Sequence, residues 1–305
     1  MRIGESKQGR RMMIGMLAGM LTVLLFVSLG GSPLCAQPGE ADVRVRDAFM
    51  DRERLSYRGY VLEKRYRNVR LGEPAEMREE PSVVEVSYAV LKRHGRVLAR
   101  FDGVYFGMGN ETSFGLFPFL GGRRKQLVVS QDIFRGGRQW IVSLSPRFRV
   151  IYDGNWYGTG READDMKVVD LDHDGVYEIV QPVTAFYGFS SWIPTGRTPL
   201  PLVIFKYDRR AGKYLPANRL FGDYLLKDVE SKNVCVCSPE DRIAHLSDVL
   251  TVVLDYIFAG RAKEAWTFYA EAYKLPDKTE LWRDILKVLK AQPVYRLMYG
   301  HARKR

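Results

Sequence analysis

Asp170, Asp172, Asp174 and Glu178 fall at positions 1, 3, 5 and 9 of one short stretch, Asp170-Leu171-Asp172-His173-Asp174-Gly175-Val176-Tyr177-Glu178. Alternate residues of a tight loop turn their oxygens to the same side. Four carboxylates gathered there repel one another unless a cation sits among them, and hard oxygen ligands select calcium. Gly175, at position 6, can supply the positive φ that a sharp turn needs. A solvated acidic turn would need only one Asx and one glycine. The spacing therefore predicts a metal loop, with His173 at position 4 turned to solvent.

The elements that must position this loop read as strands. Met166-Lys167-Val168-Val169 precedes it and Tyr177-Glu178-Ile179-Val180 closes it, both rich in β-branched residues. Position 12 is Gln181, where a helix–loop–helix calcium hand has a bidentate Glu. The stretch instead resembles the calcium loop of FG-GAP/VCBS-type repeats, Asp-x-Asp-x-Asp-Gly-x-x-(Asp/Glu)-(Ile/Leu)-Val. That resemblance implies a loop joining two strands and holding calcium. It further implies side-chain ligands from Asp170, Asp172, Asp174 and Glu178, and a backbone carbonyl from Val176.

At 305 residues the chain is long enough for about two domains. Its 46% apolar and 27% charged content is that of a globular protein. Residues 1–11 are basic, Met12 to Gly30 are nearly all apolar, and Ser32-Pro33-Leu34-Cys35-Ala36 follows as a cleavage region. This predicts an export signal over 1–36, with an uncleaved anchor in an inner membrane as the alternative. The protein is thus expected in the periplasm or cell envelope. Losing 1–36 removes four positive and one negative side chains, so the net charge falls from +11 to +8. The basic residues are scattered and no nucleic-acid motif accompanies them, so no nucleic-acid partner is expected. Cys235 and Cys237 remain after cleavage; a bridge between them would close a strained ring.

Residues 37–56 read as a polar linker or short helix. From 57 to 218 the pattern is strands and turns. Ser87–Leu98 reads as a hairpin with His94-Gly95 at its turn, and the outline recurs at 139–151 and 202–215. The hairpins start about 50–60 residues apart, within the range of propeller-blade periods. The last two are each preceded by a strand, and aligning those strands sets Gln126 opposite Glu178. The acidic loop then lies opposite Pro118 to Arg124, where Gly121-Gly122-Arg123-Arg124 replaces the carboxylates. Three such units cannot close a propeller. The expected fold is α+β, a mostly antiparallel β domain with blade-like hairpin repeats followed by a helical region over 219–305.

In that last region Ser238-Pro239-Glu240-Asp241 predicts a helix start, and Gly260 a stop. A second helix is expected from about Arg261 to Lys274, and Pro276-Asp277-x-x-Glu280 caps a third. The first two resemble a single tetratricopeptide hairpin, with Tyr256, Gly260, Ala265, Tyr269 and Ala272 at that family's spacing. One such hairpin cannot bury its apolar face alone, so it must pack on the β domain or on a partner protein. The loop 184–198, with Phe186, Tyr187, Phe189 and Trp192, offers aromatic surface for a carbohydrate or peptide, or else covers the core. No nucleophile elbow, phosphate-binding loop or paired-histidine motif is present. The expected function is therefore non-enzymatic binding around a structural calcium loop. The alternatives are a metal-dependent hydrolase using the same carboxylates, and an envelope scaffold contacting its partner through the helices.

Overall fold

The computed structural model describes residues 52–70, 83–102, 110–133, 136–157, 166–187, 189, 193–229 and 236–300. The expected export signal, residues 71–82, Trp192, Cys235 and residues 301–305 lie outside these residues. Residues 41–305 form one compact unit. Among the described residues no helix is long and apolar enough to cross a membrane. The apolar run 12–30 is not among them.

Among the described residues twelve strands make three antiparallel sheets of four, each running in simple chain order. The first holds β1 (Arg54–Tyr57), β2 (Tyr60–Arg70), β3 (Val83–Arg93) and β4 (Arg96–Phe101). The second holds β5 (Asn110–Phe117), β6 (Gln126–Ile133), β7 (Gly136–Ser143) and β8 (Arg149–Asp153). The third holds β9 (Lys167–Val169), β10 (Glu178–Pro182), β11 (Leu202–Asp208) and β12 (Lys213–Pro216). The three expected hairpins are β3–β4, β7–β8 and β11–β12, the last two strands of each sheet. Arg58-Gly59 and His94-Gly95 take positive φ at both positions, the two-residue turn that matches strand twist. Among the described residues no sheet closes into a barrel or a propeller.

One expectation at the edge of the first sheet is corrected. Residues 37–56 were to be linker or helix, but β1 begins at Arg54. Leu55 and Tyr57 alternate inward against the first core and pair the segment with β2.

The second sheet is buried on both faces. Leu127, Val129, Trp140 and Val142 join Tyr60, Leu62, Leu91 and Phe101 of the first sheet in one core. Their neighbours Val128, Ile141 and Ile151 point the opposite way, into a larger core with Ile179, Val203, Phe205 and Tyr214. Successive strand residues face opposite sides, so an unbroken apolar run fills both. Three buried polar side chains cross the second interface. Tyr152 donates to the Gln181 carbonyl, and the Gln181 amide donates to that of Gln139. Such groups stay buried only because each is satisfied.

Among the described residues there are six α-helices: α1 (Gly154–Tyr157), α2 (Gly222–Leu226), α3 (Arg242–Phe258), α4 (Ala262–Ala272), α5 (Lys278–Ala291) and α6 (Pro293–Tyr299). The predicted hairpin is α3–α4, turning at Gly260. Its start differs from the expectation at Ser238-Pro239. Asp241 is the N-cap, and its side chain accepts from the Ala244 N–H. Asp277 also behaves differently from the predicted capping box. Its carboxylate accepts from Arg242 at 2.9 Å and Tyr273 at 2.9 Å, and caps no helix N–H. The apolar faces of α3 and α4 enter the larger core through Leu246, Val249, Leu250, Val253, Ala265 and Tyr269.

Tyr157 is buried at the foot of this core and donates to the Tyr214 carbonyl. Burial pushes its phenol up to about 12. A raised pKa stabilises the fold below the unfolded value of about 10 and loses that stability as pH rises through 12. Wild-type protein should therefore lose about 2–3 kcal/mol from this group between about pH 10 and 12, from a shift of roughly two units. Tyr157→Phe should flatten that part of the stability–pH curve. An unchanged slope in denaturant melts would count against it.

Candidate cation loop and its basic neighbour

The acidic loop is the β9–β10 turn, as its flanks predict. Backbone geometry is set by its own carboxylates. Asp170 accepts from the N–H groups of Asp174 at 3.1 Å and Gly175 at 3.0 Å, and Asp174 accepts from Val176 at 2.8 Å. Gly175 takes φ 79° and His173 φ 58°, with His173 exposed as expected. Carboxylate oxygens of Asp170, Asp172 and Asp174 come within 4.8 Å of one another. Glu178 starts β10 and is wholly buried, accepting from the Leu171 N–H at 2.8 Å. Val176, predicted to offer its carbonyl, is buried, and its N–H is spent on Asp174.

A residue outside the predicted set completes the site. Phe205 lies opposite Ile179 in the β10–β11 register, which puts Lys206 beside Glu178. The Lys206 ammonium sits 2.6 Å from Asp172, 3.0 Å from Asp174 and 3.0 Å from Glu178. Three of the four carboxylates thus share one cation supplied by the chain. Burial works against the lysine's charge, but its three hydrogen bonds outweigh this and hold its pKa well above the usual value. The ammonium's hydrogen bond also lowers Asp174, against the opposing effect of burial. At Glu178 burial dominates and raises the pKa despite the Leu171 and Lys206 contacts. We take the pair as charged at neutral pH, because donors at 2.8 and 3.0 Å reach both carboxylate oxygens of Glu178.

The second sheet repeats this turn with the charges changed. Residues 118–125 join β5 to β6 as residues 170–177 join β9 to β10. Gln126 begins β6 where Glu178 begins β10, and both are buried. The Gln126 carbonyl oxygen accepts from the Leu120 N–H at 3.1 Å, a bond of the same kind as Glu178–Leu171 but one residue further along the turn. Val142 lies opposite Leu127, so Ser143 stands beside Gln126 where Lys206 stands beside Glu178. The two turns also touch. Tyr177 N–H donates to the Phe119 carbonyl at 2.9 Å, and Gly121 lies so near Gly175 that an added Cβ would come 2.3 Å from its carbonyl oxygen. Only glycine fits there, since φ is also +71°.

The aromatic loop divides. Phe186 is buried and Phe189 packs beside it, with ring centroids 5.3 Å apart. Trp156 is exposed and has Lys213 5.7 Å from its ring centroid. Cys237 is exposed, with Cys235 outside the described residues. A concavity of about 620 Å³ lies between the β11–β12 hairpin and α6; Lys206 lines it, but none of the four carboxylates does. Comparison of the chain with protein families, with curated proteins and with solved structures finds no match.

Proposed function

We propose that the chain is an exported envelope protein without catalytic activity, built from three successive blade-like units, whose β9–β10 turn is a structural cation loop. The observation that carries this reading is the convergence of four carboxylates and one ammonium at a single hairpin turn. The donors suit calcium in kind, being hard carboxylate oxygens in close array. Lys206 holds the position of charge that calcium would hold, so ion and ammonium are alternatives for the same three carboxylates. With the ion bound, Asp170, Asp172, Asp174 and Glu178 would be its ligands, and the ammonium would turn outward. The proposed role for either cation is to pin β9, β10 and β11 together. The hydrolase alternative needs an open metal face in a cleft with a separate acid–base group. The carboxylates' commitment to backbone amides and to Lys206 supports the structural role instead. Export rests on the sequence of residues 1–36.

The test is melting of the purified protein in calcium and in chelator. Extracellular calcium modules bind at about 10⁻⁴–10⁻³ M. At a hundredfold excess over the dissociation constant the stabilisation is about 2.7 kcal/mol. Asp172→Ala should abolish most of that shift. Identical melting in calcium and chelator, for both wild type and Lys206→Met, would leave Lys206 as the loop's permanent cation and end the calcium reading.

A further inference from the structure

We infer that the β5–β6 turn is an anion-binding site, built to take a phosphate or sulfate group carried by a ligand. A pocket of about 360 Å³ opens between this turn, the β1–β2 turn and the end of β7. Arg58, Arg123, Arg124 and Lys125 line it together with Ser143 and Ser145. Among the described residues, none of the four cations has a carboxylate within ion-pair distance, and no acidic side chain lines the pocket. Arg58 is held across the gap by a 3.3 Å bond from its guanidinium to the Ser145 hydroxyl. The Lys125 N–H is tied to the Tyr57 hydroxyl at 3.3 Å, which fixes the basic turn against the first sheet.

The neighbouring acidic turn shows what is missing. There the strand beside the turn supplies Lys206, and the loop's charge is met from within. In the basic turn the same register position is Ser143, a neutral residue. Three cations on the turn and a fourth across the pocket are left to repel one another, with two hydroxyls among them. A tetrahedral oxyanion answers the charge, since guanidinium groups bind it through paired N–H donors. The Ser145 hydroxyl, which accepts from Arg58, can add a donor, while the Ser143 hydroxyl donates to the Ser145 carbonyl at 3.0 Å. Inorganic anions and a lipid headgroup share this chemistry, and the experiment separates them.

The experiment uses the full-length protein at constant ionic strength. Inorganic phosphate and sulfate are titrated by calorimetry against a chloride control. Vesicles of phosphatidylcholine with or without phosphatidic acid are tested by sedimentation. Two variants change the pocket: Arg123→Gln/Arg124→Gln, and Ser143→Asp, which places a carboxylate where the acidic turn has its lysine. A third, Arg209→Gln/Arg210→Gln, removes the same charge from the exposed β11–β12 turn. Saturable binding weakened tenfold or more by both pocket variants, and twofold or less by the third, is the expected result. Saturation by phosphate or sulfate in solution marks a soluble ligand; saturation by phosphatidic acid vesicles alone marks a headgroup. Circular dichroism confirms that each variant is folded, and Ser143→Asp should melt no lower than wild type. Equal weakening by all three variants would reduce the effect to general basicity and overturn the proposal. So would the absence of saturable binding to every probe.

Discussion

A chain ending at residue 237 should aggregate on purification instead of yielding a folded β domain. The reason is the shared core. Leu246, Val249, Leu250, Val253, Leu254 and Ile257 of α3 lie in one cluster with Val203, Phe205 and Tyr214 of the third sheet. Burying a large apolar side chain contributes about 1.5–3 kcal/mol. Losing six from one face forfeits about 9–18 kcal/mol, as much as the roughly 5–15 kcal/mol by which a typical domain is stable. The exposed sheet face would also be a large apolar patch, which soluble proteins rarely leave in water. The single substitution Leu250→Ala should cost about 2–5 kcal/mol by the same route. Size-exclusion chromatography and a cooperative melt decide the question. A monomeric truncated chain that melts like the parent would show that the helices are dispensable to the sheets.

That shared core explains where the sequence was readable and where it was not. Local signals served well. His94-Gly95 marks a turn by its own chemistry, and the carboxylate spacing of 170–178 marks the β9–β10 loop. The alignment of Gln126 with Glu178 also survives, because both begin the second strand of a sheet and cap the turn before them. What needs long-range register was not legible. Lys206 is 34 residues from Asp172, and only strand pairing brings the two together. A lone charge ending the apolar run Leu202-Val203-Ile204-Phe205 was the available signal, but it names no partner. Likewise the run Leu127-Val128-Val129 lacks the alternation of a one-faced strand, a mark of burial on both sides. Helix starts failed for a different reason. Ser238 and Asp241 are both sound caps in isolation; Asp241 takes the helix N–H of Ala244, and the Ser238 hydroxyl accepts only from Glu240 in the turn before it. Asp277 is drawn from its capping role by Arg242, a residue on another helix. The strand at Arg54 was hidden because Arg54 and Ser56 face outward and only Leu55 and Tyr57 report the core.

Lys206→Met should destabilise the protein by about 3–5 kcal/mol in the absence of divalent ions, the cost of leaving one partner of a buried ion pair uncompensated. Asp172 and Asp174 are about two-fifths exposed, so water can screen them once the ammonium is gone. Glu178 cannot be screened in that way. Its side chain has no solvent exposure, and only the Leu171 N–H would remain as a donor to it. The penalty should therefore belong to Glu178, and removing its charge should remove most of the penalty. Glu178→Gln/Lys206→Met is the decisive companion, since it rebuilds the neutral arrangement that Gln126 and Ser143 already adopt in the second sheet. Gln126 keeps its bond to the Leu120 N–H without a cation beside it, so a glutamine at 178 has a working precedent in the same chain. A double-mutant cycle in urea should give a coupling of at least 2 kcal/mol between the two sites, near the upper part of the range for contacting residues. Additive effects of the two substitutions would mean that Lys206 acts on the exposed aspartates alone. The turn would then be an ordinary surface charge cluster, worth about 0–1 kcal/mol.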